Sequence, residues 1–197
     1  MHEFPATWPK MPDNLVRFHE IWSDLRAQNG GDIPFRQQLG LKELRGLTAN
    51  LLVYELTGPG ELFVKMSGTA VDNQFGRNLT GLSVYDIAEM PAAEAFVGFH
   101  ETLIRHPCGG YAADILVARN GKRIRADYLI LPLRNRFGEQ VQCATMSELA
   151  TAGYGMPPGD DSMRITYHEL LDARHLDIGL GVPNYDFVIK TRQPEEN

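Results

Sequence analysis

The sequence predicts an α+β fold: a five-stranded antiparallel sheet with short helices and one longer helix on one face, and an N-terminal helix on the other face or at a dimer interface. Three observations carry that expectation. Apolar residues recur at helical spacing over residues 13 to 28 and 91 to 105. Five runs have the β-branched and aromatic composition of strands, two before the longer helix and three after it. Two of the joints between runs, Gly58-Pro59-Gly60 and Asn120-Gly121, have the backbone chemistry of hairpin turns.

In chain order, Asp13 or Asn14 caps an amphipathic helix over 13–28 whose stripe is Leu15, Phe18, Trp22 and Leu25, and Asn29-Gly30-Gly31 stops it. A short helix over Phe35 to Arg45 is expected next, then strands at Thr48–Leu56 and Glu61–Ser67. Short helices broken by glycines follow, from Gly68 to Phe75 and from Leu82 to Ala88. Pro91 opens the longer helix, which aligns Phe96, Phe99, His100 and Leu103 on one face. Strands are expected at Gly110–Ala118, Lys122–Leu133 and Glu139–Leu149. In the second of these, Ile124, Ala126, Tyr128 and Ile130 point one way and Leu129, Leu131 and Leu133 the other, so both sheet faces need cover. The N-terminal stripe, from the same chain or a partner's, is the candidate cover for the second face. Gly153, Gly155, Pro157, Pro158 and Gly159 read as a linker, Ile165–Arg174 as a short helix, and the acidic QPEEN end as disordered. The resulting division is an N-terminal helix and cap (1–34), a domain body (35–150) and a linker with C-terminal extension (151–197).

A chain of 197 residues, 43% of them hydrophobic, holds one well-filled core with terminal extensions. Its longest apolar runs fall far below the roughly 20 residues of a membrane-spanning helix, and the N-terminus has no export signature. A cytoplasmic protein is expected, with Cys108 and Cys143 as reduced thiols. The net charge of -6 opposes general affinity for nucleic acid. A local exception is the hairpin bearing Arg119, Lys122, Arg123, Arg125, Arg134 and Arg136, which reads first as a solvated face.

The segments IWSDLR, DIPFR, FVKMSGTAVDNQFGRNLTG, VYDI and LDIGLGVP resemble a family of stand-alone PAS-like (Per-Arnt-Sim) proteins found mainly in alphaproteobacteria, over about Trp22 to Pro183. Gly68-Thr69 followed by Phe75-Gly76-Arg77-Asn78-Leu79-Thr80-Gly81 is the most specific stretch. The resemblance implies a PAS-like fold and a sensory or regulatory module that binds a small ligand, a protein partner or both. It carries over no catalytic residues. It places any ligand between the sheet and the longer helix, where Phe63, Met66, Phe75, Leu79, Tyr85, Phe96, Phe99, His100, Tyr128 and Met146 are the candidate lining; the same side chains serve equally well as a filled core. Tyr85, His100 and Tyr128 are the polar handles.

The cofactor stays open. His100 occupies the position of an axial histidine in haem-binding PAS domains, but nothing else in the sequence demands a porphyrin, and a lone histidine on an apolar face is more often a hydrogen-bonded core residue. No cysteine lies between Gly68 and Ala88, which excludes flavin photochemistry. His168, Asp172 and His175 would share one face of a helix, but read as ordinary surface residues and not as metal ligands. A homodimer is expected through Leu15, Phe18, Trp22 and Leu25 against Leu129, Leu131 and Leu133, together with an unidentified signalling partner. Two other readings remain. One is a small curved-sheet enzyme of the nuclear-transport-factor-like type, needing an inward pair among His100, Asp114 and Asp127; the other is a nucleic-acid-binding regulator using the 119–136 hairpin.

Overall fold

The structure is a computed structural model that describes residues 4–5, 8–149, 161–184 and 187. The linker glycines and prolines at 153–159, the 150/151 boundary and the acidic C-terminus lie outside the described residues.

The first helix, α1 (Asp13–Gln28), starts after Pro12 without a side-chain cap. Asn14, one of the two expected caps, instead reaches across to donate to the Ser147 carbonyl at 3.3 Å. The expected helix over 35–45 is a single 3-10 turn at Arg36–Gln38 followed by turns. Its backbone is engaged elsewhere: Arg36 N–H donates to the Arg134 carbonyl and Arg134 N–H to the Pro34 carbonyl, which holds this segment extended beside a strand end. Gly40 then interrupts the apolar spacing, leaving Leu44 buried and Leu41 81% exposed.

Strands β1 (Leu51–Gly58) and β2 (Glu61–Ser67) form the hairpin expected around Pro59-Gly60. Helix α2 (Thr69–Phe75) ends on Gly76 at φ 64°, a left-handed conformation that glycine adopts without strain. A 3-10 turn at Val84–Asp86 leads to α3 (Ala93–Arg105). Strands β3 (Gly109–Ala118) and β4 (Arg123–Leu133) join through the Asn120-Gly121 turn, and β5 (Gln142–Leu149) follows. Where a short C-terminal helix was expected, the chain forms a sixth strand, β6 (Ile165–Leu176). The sheet order is β2-β1-β5-β4-β3-β6, every neighbour antiparallel.

Each face of this sheet is covered. On one, α1 buries Leu15, Phe18 and Trp22 against Tyr111, Leu129, Leu131, Leu133 and Met146. On the other, α2, the 82–92 connection and α3 cover Leu52, Tyr54, Ala112, Ile130 and Cys143. Gly110 sets how closely α3 approaches, since a Cβ there would stand 2.6 Å from Leu103 and 2.9 Å from Phe99. The α1 stripe therefore finds its partner within one chain. Leu15, Phe18, Trp22, Leu25, Leu129, Leu131 and Leu133 are all buried without a second copy, which corrects their assignment to a dimer interface.

Candidate functional site

Helix α3 brings Phe96, Phe99, His100 and Leu103 onto its inner face because residues three and four apart stack along one side. His100 lies 4.2 Å, ring to ring, from Phe96 and 4.9 Å from Tyr54 of β1. Its Nδ1 is 2.9 Å from the Phe96 carbonyl oxygen. A carbonyl only accepts, so Nδ1 carries the proton and Nε2 is left as a bare acceptor. Nε2 is buried and has no hydrogen-bond partner among the described residues. Burial pushes the His100 pKa down to about 4, with nearby His168 acting in the same direction and the Phe96 carbonyl opposing them, so the ring is neutral at pH 7.

Around His100 lies a cavity of about 30 Å³, lined by Leu52, Tyr54, Ala112, Tyr128, Ile130, Thr145 and Ser147 of the sheet, Phe96 and His100 of α3, and His168 of β6, and closed by Val71, Gln74, Phe75, Leu79, Val84, Ile87 and Met90. Space of that size holds about two waters. The walls are mostly apolar, with polar side chains contributed from both the helices and the sheet. His168 Nε2–H donates to Asp114 Oδ2, and the Asp114 side chain is fully buried. Asp114 Oδ1 and Thr145 Oγ1 are buried without hydrogen-bond partners among the described residues. Burial raises the Tyr128 pKa well above its usual value, and the Asp114 and Tyr54 groups close by raise it further. Tyr54 is shifted upward chiefly by burial as well.

Of the ten expected lining residues, Phe75, Leu79, Phe96, His100 and Tyr128 line the cavity. Phe99 is core, 1% exposed, against Leu103 and Phe187. Met146 faces α1, because alternation along β5 sends Thr145 and Ser147 inward instead. Met66 also turns to the α1 side: a register shift between Val53/Tyr54 leaves Lys65 unpaired and reverses the alternation of β2. Phe63 and Tyr85 line a surface groove with Thr57, Gly60, Glu61 and Ser83, and Tyr85 is 48% exposed, so it is no internal handle. The residues that sequence reasoning missed are Tyr54, Gln74, Thr145, Ser147 and, above all, the Asp114–His168 pair.

The remaining candidates separate cleanly. Asp127 accepts from Tyr111 at 2.5 Å and from Arg125 at 2.9 Å, with Tyr111 packed in the α1 layer, so it forms no pair with His100. The inward Asp–His pair is Asp114 with His168. In the basic hairpin, Arg119, Arg123, Arg125 and Arg134 are ion-paired with Asp161, Glu169, Asp127 and Asp32, and Arg136 lies 4.6 Å over the Phe137 ring. His168, Asp172 and His175 lie on a strand and not on a helix, and no cluster of metal-ligating side chains occurs among the described residues. Cys108 and Cys143 are buried free thiols, and burial, helped by Asp177, holds the Cys108 pKa up to about 12. A porphyrin does not fit the cavity as it stands. No helix among the described residues is long and apolar enough to cross a membrane.

A family model described as a PAS domain matches residues 11–146. The chain belongs to the PAS domain family. Strands β1 to β5 with α2, α3 and the connection on one face form the PAS architecture, and β6 adds a sixth strand beyond the matched residues. Solved structures similar to this PAS domain include VqmA bound to DPO, at 14% identity and TM-score 0.44 over 56% of this chain and 56% of that one. A second VqmA structure, from Vibrio cholerae, matches at 15% identity and TM-score 0.44 over 57% of this chain and 53% of that chain. This PAS domain thus spans little more than half of the VqmA chains it matches. The light-state structure of the Aureochrome1 LOV photoreceptor matches at 12% identity and TM-score 0.41, over 58% of this chain and 91% of that one. Among curated proteins, none matches.

Proposed function

We propose that this PAS domain is a sensory or regulatory module that binds a small molecule in the cavity between α3 and the sheet and relays the change to a protein partner. The observation that carries this reading is the neutral ring of His100, a residue 1% exposed, whose Nε2 has no hydrogen-bond partner among the described residues within a mostly apolar cavity. A buried acceptor left unmade costs stability, and a side chain chosen only for packing would not incur that cost. Closure of the cavity rests on adaptable side chains, Gln74 and Phe75 of α2 and Ile87 and Met90 of the connection, which is where a ligand larger than two waters would enter. Movement there has a route outward, because the connection is bonded to β6: Glu89 N–H donates to the Thr166 carbonyl and His168 N–H to the Glu89 carbonyl.

Native mass spectrometry of freshly purified protein, joined to an absorbance scan, tests the reading. A bound small molecule is expected, lost in an Ala112→Leu variant that fills the cavity while its circular dichroism stays unchanged. Ligand-free protein that also takes up no small molecule from a fragment panel would overturn it. With the α1 stripe used inside the chain, a homodimer in this reading draws on other apolar side chains, of which Leu41 at 81% and Phe137 at 71% exposure are the most uncovered; sedimentation of Leu41→Glu and Phe137→Glu variants checks this.

One observation favours a second reading, an enzyme. Asp114 and His168 form a buried carboxylate–imidazole pair beside the cavity, the minimum for a general base. Turnover of any bound molecule, abolished in His168→Gln without loss of binding, would establish it.

A further inference from the structure

The polar atoms of the cavity also specify what kind of molecule completes it. This inference rests on the small-molecule reading above. At or beside the cavity, three buried atoms have no hydrogen-bond partner among the described residues: His100 Nε2, Asp114 Oδ1 and Thr145 Oγ1. They belong to side chains 1%, 0% and 2% exposed. They come from α3, β3 and β5, so no single local distortion accounts for them. His100 and Thr145 line the cavity, and Asp114 is held beside it through its contact with lining residue His168.

Their chemistry is asymmetric. His100 Nε2 is an acceptor only, since the proton is on Nδ1 facing Phe96. A carboxylate oxygen is likewise an acceptor only, while the Thr145 hydroxyl serves in either role. The Asp114 carboxylate is engaged by His168 and by a side-chain hydrogen bond from Tyr128, which leaves His100 Nε2 as the acceptor on a lining residue that is unbonded among the described residues. A ligand that offers only lone pairs, an ether or an ester, would set acceptor against acceptor. A purely apolar ligand would leave His100 Nε2 unmade and displace whatever water served it. An ionised ligand is disfavoured for a different reason: the other walls, Leu52, Val71, Leu79 and Ile130, are hydrocarbon, and the Asp114 carboxylate is already engaged by His168.

We infer that the cavity is built for an uncharged small molecule with an apolar skeleton and at least one N–H or O–H donor, directed at His100 Nε2. Specificity then comes from donors, because a site with buried acceptors rejects an isostere lacking the matching hydrogen far more strongly than a hydrophobic wall rejects an extra methyl group.

Isosteric probes test this on the intact chain. 1,3-Diaminobenzene and m-xylene have the same shape and differ in donors; benzamidine adds a positive charge. Each is titrated at pH 7 into protein with nitrogen-15-labelled histidines, giving an affinity and the His100 Nε2 resonance together. The diamine is expected to bind at least tenfold more tightly than m-xylene, to move the Nε2 resonance toward the hydrogen-bonded position, and to lose most of that preference in His100→Phe. Equal binding of diamine and m-xylene, or diamine binding with Nε2 unmoved, overturns the donor inference while leaving a small-molecule pocket standing. Tighter binding of benzamidine than of the diamine overturns the uncharged ligand. If none of the three binds and no ligand co-purifies, the small-molecule reading falls, and this inference with it. Should His100→Phe fail to fold, the Nε2 resonance of the wild-type protein decides the matter alone.

Discussion

The two faces of the sheet are similar in size and opposite in character. Under α1, the central contacts are Leu15, Phe18 and Trp22 against Leu129, Leu131, Leu133 and Met146, all at 1% exposure or less. The polar atom brought into the middle of that layer is satisfied, since Trp22 Nε1 donates to the Pro132 carbonyl at 2.9 Å. Under α3, aromatic and aliphatic side chains surround a cavity with three polar atoms at or beside it that are unbonded among the described residues. The α1 layer has one such atom, Asn14 Oδ1, on a side chain whose amide nitrogen is bonded across to Ser147, whereas the three under α3 gather at a cavity, a difference that fits α1 as the structural layer and α3 as the layer the proposed ligand would occupy.

The largest effect should come from charging the structural layer. In Leu15→Glu combined with Phe18→Glu, two carboxylates enter a buried apolar layer, at a cost of several kcal/mol each. Because that layer closes within one chain, unfolded or aggregated protein is expected, and loss of the circular dichroism signal checks it. Recovery of a folded monomer would show instead that α1 packs on a second copy.

Single truncations measure whether the two layers bear equal load. Phe18→Ala under α1 and Phe99→Ala under α3 remove equivalent rings from sites 0% and 1% exposed, and each should cost about 3 to 5 kcal/mol in urea unfolding. A Phe99 cost below about 1 kcal/mol would mean that the α3 layer is loose well beyond the cavity.

How much of this contrast is legible in the sequence depends on periodicity. The Asn120-Gly121 and Pro59-Gly60 turns and the two faces of β4 follow from local chemistry alone, and the structure has them where the pattern puts them. Helical spacing also finds both α1 and α3, including the inward position of His100. β6 is invisible for a definite reason. Its register slips between Ala113/Asp114 and again between Val117/Ala118, leaving Leu171 and Thr166 as extra residues. The buried positions become Ile165, His168, Leu170, Ala173 and Leu176, a spacing of mostly three that imitates a helix. Misreading that strand hides His168, and without His168 the partner of Asp114 is hidden too. Met66 is misplaced by the same device in β2, whereas Met146 needed only the choice of which face β5 turns inward.

A pH titration probes the α3 layer through its buried histidine. His100 goes from an ordinary value of 6.5 to about 4 on folding. Between those values the unfolded chain takes up a proton that the folded chain excludes, so this contribution is fully present above pH 6.5 and is lost as pH falls toward 4, by about 3 kcal/mol in total. The titratable groups nearest the ring are Tyr54, Tyr128 and His168, with Asp114 bonded to His168 behind them. Urea midpoints measured from pH 7 to pH 4 should decline steeply in the wild-type protein and less steeply in His100→Phe; parallel slopes would mean that His100 keeps its solution pKa and that the cavity is wet.

The smallest effect is the most discriminating, because it predicts opposite signs for the two layers. Trp22→Phe removes a hydrogen-bond donor under α1 and strands the Pro132 carbonyl, which should cost about 1 to 3 kcal/mol. Thr145→Val under α3 keeps the shape and deletes a hydroxyl that bonds to nothing among the described residues. That change should leave the melting midpoint unchanged or raise it, by up to about 1 kcal/mol, since an unmade buried polar group is a burden in the empty protein. The same variant should bind a donor-bearing ligand less well. A stabilised protein with weakened binding is the signature of a residue kept for its ligand, whereas a destabilised Thr145→Val would place the hydroxyl in a satisfied network and make the two layers alike.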